Sequence, residues 1–178
     1  SFGIAYRIDL VNAYVLLIVS TISTIVSVFA RVSVASEIEA HNQGIFYTAW
    51  LLCLTGLLGI AITGDAFNLF VFLEISSLSS YVLIAMGNDR RSLTAAFQYL
   101  IMGTIGATFI LIGIGLLYAL TGTLNMLDLA ERIPEVANTR TARAGFAFLN
   151  VGIGLKIALF LLHLLLPNAY AYAPSALS

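Results

Sequence analysis

Residues 144–166 read AGFAFLNVGIGLKIALFLLHLLL, an apolar run that contains the single lysine of the chain, Lys156. A second run, AFNLFVFLEISSLSSYVLIAM at residues 66–86, encloses Glu74 in the same way. A helix needs about 20 apolar residues to cross the roughly 30 Å hydrocarbon core of a bilayer, and both runs reach that length. Ionisable side chains at such depth are rare and usually have a function. The two runs therefore predict membrane helices, one with a buried acid and the other with a buried base.

The composition of the whole chain also indicates an integral membrane protein. Of its 178 residues, 60% are hydrophobic and only 10% are charged, whereas soluble domains carry about 25% charged residues. The net charge of −1 and the absence of a dense basic run argue against a nucleic-acid partner. The single cysteine, Cys53, allows neither a disulfide framework nor a metal site of paired cysteines. We expect no cofactor and no metal, and we expect the lipid bilayer as the surroundings.

Apolar runs long enough to span a bilayer occur five times, and we predict all of them to be α-helices, because strands would leave backbone groups unpaired in lipid. They lie near residues 10–30, 45–63, 66–86, 93–120 and 144–166. No linker divides the chain, so residues 1–178 are interpreted as a single membrane domain of an all-α protein. The chain opens at Ser1 without a methionine, and we expect it to be a piece of a longer subunit.

Two connections have recognisable local signals. Gly64 and Asp65 alone join the second and third spans, so we expect a tight hairpin in which Asp65 caps the third helix. Between the fourth and fifth spans, apolar and charged residues segregate to opposite faces of a helical projection. This pattern predicts a short interfacial amphipathic helix that begins near Asn125, has Pro134 near its end and lies along the membrane surface.

The glycines of the fourth span and the arginines of the chain give weaker indications of helix packing and of membrane orientation. We expect the glycines of the fourth span to allow close approach of neighbouring helices; these are Gly103, Gly106, Gly113 and Gly115. The positive-inside rule does not orient the chain, because four arginines on one side of the membrane face three on the other.

Glu74 is the ninth residue of its span and so lies near the bilayer midplane. There an ionised side chain costs about 2.5–3.5 kcal/mol on insertion scales. Ser77 and Tyr81 share its helical face and Asn68 lies about two turns before it, so we expect a polar face that could hold water. A protonated glutamic acid that donates a hydrogen bond between helices is the alternative.

Lys156 is too deep in its span for its stem to reach an interface comfortably. Burial disfavours the charged form of a lysine or a glutamate, whereas proximity of the two favours both charged forms. Glu74 and Lys156 could therefore switch between paired and unpaired states, or they could form a purely structural ion pair. Gly152, four residues before Lys156, is expected to make room beside it. His163, seven residues after it, could relay protons to the membrane surface or could be a hydrogen-bonded interfacial residue.

Three stretches resemble the antiporter-like membrane subunits that Mrp-type cation/proton antiporters, respiratory complex I and membrane-bound hydrogenases share. They are GDAFNLFVFLEISSLSSYVLIAMG at 64–87, TAAFQYLIMGTIGATFILIGIGLLYALTGTLNMLDLA at 94–130, and GLKIALFLLHLLLPNAYAYAPSALS at 154–178. Within that family, the FNLFVF and TGTLNM segments are most similar to the D-type subunit of Mrp antiporters. The resemblance is strongest from Gly64 onward.

The resemblance implies a fold of two inverted helical repeats, of which this chain holds part of the first. The family's buried glutamate and lysine fall at Glu74 and Lys156, and its histidine falls at His163. These three residues are the candidate proton-translocating site. The resemblance also implies that the GNDRR loop faces the cytoplasm and that the chain lies in the cell inner (cytoplasmic) membrane.

Three functions remain open from the sequence. The first is a proton-translocating subunit of a multi-subunit sodium/proton antiporter, a secondary transporter rather than an enzyme, with other membrane subunits as partners. The second is a proton-pumping subunit of a complex I-like or hydrogenase complex. The third is a non-conducting structural module, which is suggested by departures from the family motif after Lys156; these are Leu161, Leu165 and Asn168.

Overall fold

The computed structural model describes residues 5–87 and 90–157, and these ranges are almost entirely helical. The helices are α1 (Leu10–Glu37), α2 (Gln43–Ile62), α3 (Ala66–Ala85), α4 (Arg90–Thr121), α5 (Met126–Val136) and α6 (Arg140–Lys156). The first four contain segments long and apolar enough to cross a membrane. The prediction of an all-α membrane protein is therefore confirmed, and the remainder of the predicted fifth span lies outside the described residues.

The helix ends agree with the sequence prediction to within three residues for α2, α3 and α4. For α1 the predicted end at residue 30 is wrong, because the helix continues to Glu37. Hydropathy falls at Arg31, but backbone hydrogen bonding does not depend on hydropathy. Val34, one turn further on, is 1% exposed, so the added turns pack against the protein.

Helix packing follows the chain closely: α1 contacts α2, α2 contacts α3, α3 contacts α4, and α4 contacts α6. A core of apolar residues lies where the end of α1 and the start of α2 meet the end of α3. It consists of Ala30, Val34, Ile38, Phe46, Ala49 and Leu83. Glu74 lies on the same helix as Leu83 but nine residues earlier, away from this core.

Backbone hydrogen bonds join three distant segments at the other end of the bundle: residues 5–7, residues 62–66 and residues 124–126. We refer to these segments as the backbone junction. Its bonds run from Arg7 N to Ile62 O (2.8 Å), Gly64 N to Ala5 O (2.8 Å), Ala66 N to Leu124 O (2.9 Å) and Met126 N to Gly64 O (2.9 Å). The α2–α3 hairpin, the start of the described chain and the α4–α5 connection thus lie together on one side of the protein.

Side-chain caps begin the two helices that leave this junction. Asp65 accepts hydrogen bonds from the backbone amides of Phe67 and Asn68, both at 3.0 Å. Asn125 accepts from Leu127 N at 3.0 Å and Asp128 N at 3.3 Å. Both predicted caps are confirmed, as is the short helix after Asn125; its position along a membrane surface stays a prediction.

Candidate functional site

Glu74 lies near the middle of helix α3. The helix begins at Ala66, directly after the Asp65 cap. At about 1.5 Å per residue, the backbone of Glu74 lies roughly 12 Å along the axis from this start. Its side chain is 23% exposed. The capped start and the packed end of α3 therefore hold this acid well inside the helix rather than at either terminus.

Helix α6 brings Lys156 to the same place, and glycines allow it to do so. At Gly106, a methyl group would lie 3.1 Å from Gly152 O; at Gly113, it would lie 2.9 Å from Gly145 O. The backbones of α4 and α6 therefore approach closely at two levels that leave little room for a side chain, which is the small-residue packing expected between membrane helices. Lys156 is the last residue of α6 and follows directly from this contact.

Close approach was predicted for four glycines of α4, and the structure confirms three of them. A side chain at Gly103 would collide with the Tyr81 hydroxyl, and Gly106 and Gly113 pack against α6. The prediction is wrong for Gly115, where no atom lies within 4 Å of the added methyl position. Gly115 is on a different face of the helix, and a glycine in a sequence does not reveal which face meets a neighbour.

Lys156 forms an ion pair with Glu74, and the two residues are separated by 82 positions in the chain. The distance from Lys156 Nζ to Glu74 Oε1 is 2.5 Å, and the lysine side chain is 10% exposed. A charge-assisted hydrogen bond of this kind is roughly twice as strong as a neutral one, and the strength increases where water is scarce. Each charge thus offsets part of the cost of burying the other.

Ser77 and Tyr81 extend the polar face of α3 beyond Glu74. Lys156 Nζ donates a second hydrogen bond to Ser77 Oγ at 2.9 Å, and Ser77 donates its own proton to Leu73 O at 2.7 Å. Tyr81 is 6% exposed, and its hydroxyl lies against Gly103 of α4. Its ring meets the ring of Tyr99 edge-on, with centroids 5.1 Å apart. The sequence placed Ser77 and Tyr81 on this face, but it did not indicate that Ser77 contacts the lysine.

The other residues named from the sequence have different surroundings. Asn68 Nδ2 is buried without a hydrogen-bond partner among the described residues. His163 lies outside the described residues. Cys53 Sγ is 3.6 Å from Ser80 Oγ, in the α2–α3 contact. No group of three metal-ligating side chains occurs in residues 5–87 and 90–157.

Gly152 has a role other than the expected one. It was predicted to make room beside Lys156, but a methyl group there would lie 2.7 Å from Gly106 O and 2.8 Å from Ile110 N. The space at Gly152 is therefore taken by the backbone of α4. The lysine stem lies against the same helix, since its Cγ is 3.5 Å from the methyl position at Gly106.

These features define a multi-pass membrane protein with a partly buried ion pair between two helices. A family described as "NADH:quinone oxidoreductase/Mrp antiporter, TM" matches residues 61–178, which is more than half of the chain. The chain belongs to this family. The resemblance inferred from the sequence is thus confirmed at the level of the family.

Similar proteins carry two kinds of name. The chain is 53% identical over 135 residues to the N-type subunit of the NADH-quinone oxidoreductase of Desulforudis audaxviator, covering 76% of this chain and 27% of that one. It is 32% identical over 177 residues to the D-type subunit of the Na(+)/H(+) antiporter of Alkalihalophilus pseudofirmus, covering 99% of this chain and 35% of that one. The chain thus spans about a quarter to a third of the length of these relatives.

A solved structure shares the fold. A chain of the membrane-bound sulfane sulfur reductase, an archaeal respiratory membrane complex, superposes with a TM-score of 0.91 and 34% identity. The match covers 99% of this chain and 35% of that one. The helical arrangement of this chain is therefore shared with that protein.

Proposed function

We propose that this chain is part of a proton-translocating subunit of a multi-subunit sodium/proton antiporter, in which Glu74 and Lys156 carry the proton step. The observation that carries the proposal is the direct contact of Lys156 Nζ with Glu74 Oε1 between two helices of a membrane protein. Ionisable residues within a bilayer usually mark ion or proton pathways. The D-type name of the Alkalihalophilus pseudofirmus relative supports the antiporter assignment.

The proton step follows from the charges of the pair. A proton that reaches the Glu74 carboxylate converts it to the neutral acid and removes the anion that stabilises the Lys156 ammonium. The ammonium can then release a proton to a neutral acceptor, for which we propose the imidazole of His163. Transfer of the Glu74 proton to the neutral Lys156 amine restores the ion pair, and His163 passes the proton that it received onward, so one proton passes per cycle.

Transport by the complete complex in sealed vesicles tests this assignment. We expect Glu74→Gln and Lys156→Met each to reduce proton movement about tenfold or more, because a loss of 1.4 kcal/mol of stabilisation already corresponds to about a factor of ten. Matched controls are Glu131→Gln and Arg143→Met, which neutralise exposed charges of the same sign. If transport survives both site substitutions with an unchanged pH profile, the proposal is wrong and a non-conducting structural module is the better description.

Unfolding measurements on the same variants distinguish a direct interaction between Glu74 and Lys156 from two charges that act independently. Removing one partner of a buried ion pair typically costs about 3–5 kcal/mol, because the other charge is left uncompensated. We expect each single substitution to lower the unfolding midpoint and the double variant Glu74→Gln/Lys156→Met to recover part of the loss. Additive losses would contradict a direct interaction.

A redox complex is the second candidate. The 53% identity to a protein named as an N-type subunit of NADH-quinone oxidoreductase favours it. In that case electron transfer in other subunits would drive the same Glu74 and Lys156 step. Purification of the native complex distinguishes the two candidates: co-purifying redox subunits and substrate-driven proton release support the pump, whereas sodium-dependent proton exchange without them supports the antiporter.

Partners and location follow from the same proposal. We propose that other membrane subunits complete the conduit, because the chain covers only part of its relatives. We also propose the inner (cytoplasmic) membrane as the location. Membrane fractionation of native cells tests this location directly.

A further inference from the structure

Ser77 presents an oxygen acceptor to the lysine and has no proton to offer it. Its hydroxyl proton is directed to Leu73 O at 2.7 Å, while its oxygen receives a hydrogen bond from Lys156 Nζ at 2.9 Å. A serine hydroxyl has one donor and two acceptor positions. The donor is occupied by the backbone, so the lone pairs are available for an ammonium group.

The other serines of α3 show that the backbone bond is not what distinguishes Ser77. Ser79 donates to Ile75 O at 2.7 Å and Ser80 donates to Ser76 O at 2.9 Å, the same pattern as Ser77. In the part of the chain that the structure describes, Lys156 donates to Glu74 and Ser77. Ser79 is therefore a matched comparison: same helix, same backbone bond, different face.

We propose that Ser77 is a positioning residue that retains the Lys156 ammonium on α3 when Glu74 is protonated; this inference rests on the proposed function. An ammonium has three donors and can bond Glu74 and Ser77 together. Protonation of Glu74 removes its charge and weakens the shorter bond, but the Ser77 bond does not depend on that charge. The lysine then stays beside α3 until it passes its proton on, and the neutral amine remains within reach of the Glu74 carboxyl that reprotonates it.

Neighbouring groups favour this role. The Tyr81 hydroxyl, one turn beyond Ser77 on α3, fills the space that a side chain at Gly103 would need, so α4 packs against the polar face of α3. The lysine stem lies beside α4 at Gly106, where its Cγ is 3.5 Å from the position of an added methyl group. The Lys156 ammonium can therefore occupy only a narrow range of positions. Its two acceptors on α3, Glu74 and Ser77, lie about one helical turn apart.

Transport by the complete complex in vesicles is the first test. We expect Ser77→Ala to slow proton movement about tenfold, because a hydrogen bond to a charged group is lost. Ser77→Thr keeps the hydroxyl and should restore most of the rate, and Ser79→Ala should leave it unchanged. Equal rates for Ser77→Ala and Ser79→Ala would overturn the proposal.

A double-mutant cycle with the lysine is the second test, and a merely structural serine would fail it. Ser77→Ala should lower the unfolding midpoint in the wild-type background and have a much smaller effect beside Lys156→Met, because the bond in question no longer exists there. The same loss in both backgrounds would show that Ser77 acts through its backbone bond alone, and would overturn the proposal. The transport result for Glu74→Gln distinguishes the two hypotheses: if it abolishes transport while Ser77→Ala does not, only the role of Ser77 is refuted.

Discussion

Gly152→Ala should separate helices α4 and α6. The added methyl group would lie 2.7 Å from Gly106 O and from Ile110 Cγ1, and 2.8 Å from Ile110 N. Two of these atoms belong to the backbone, so no side-chain rotation relieves the contact. Moving from 2.7 Å to an ordinary contact of 3.4 Å requires a displacement of about 0.7 Å.

The expected cost is that of overpacking a tight interface, about 1–3 kcal/mol. Gly115→Ala is the matched control, because it lies on α4 with nothing within 4 Å of the new methyl group. There the higher helix propensity of alanine should be neutral or stabilising by up to about 1 kcal/mol. Denaturant or thermal unfolding of the full-length subunit in detergent measures both.

Lys156 lies one turn beyond Gly152, so the displacement should also reach the ion pair. We expect Gly152→Ala to reduce transport by the complete complex, whereas Gly115→Ala should not. If the two variants unfold at the same midpoint, close backbone packing of α4 and α6 does not stabilise this protein and the reasoning fails.

Two further substitutions examine local geometry away from the ion pair. Asp65→Ala removes the acceptor for two backbone amides at the start of α3 and should destabilise the protein by about 1 kcal/mol. Asp65→Asn should retain most of the cap. Equal unfolding midpoints for the two variants would contradict this expectation. Gly122 has a φ of 69°, and no atom lies within 4 Å of a methyl group added there. Gly122→Ala should therefore lower the free energy of unfolding by about 1–2 kcal/mol through backbone strain alone, and Gly122→Asn should be better tolerated. A midpoint unchanged by alanine would show that the turn adopts another conformation.

Patterns local in sequence predicted much of the fold. Hydropathy located α2, α3 and α4, and capping preferences located the starts of α3 and α5, because both signals depend on neighbouring residues. The end of α1 was missed because the helix extends past its apolar segment. The role of Gly115 was misjudged because the spacing of glycines does not indicate which helix face has a partner.

The candidate site was predictable in its members but not in its contacts. Glu74 and Lys156 stood out because each is an ionisable residue in an apolar run. Their contact depends on how α3, α4 and α6 pack, and one sequence contains no direct record of a pairing over 82 positions. The sequence also did not indicate that Ser77 accepts a hydrogen bond from Lys156, since the four serines of α3 cannot be told apart by sequence alone.

The backbone junction has a consequence for variation among related chains. Its bonds use only main-chain N–H and C=O groups, which every amino acid except proline supplies in full. The register of α3, and with it the depth of Glu74, is thus fixed by groups that most substitutions leave untouched. Side chains at residues 5, 6 and 124 can vary while these bonds persist, whereas proline at position 7, 64, 66 or 126 would remove one of the N–H donors of the junction.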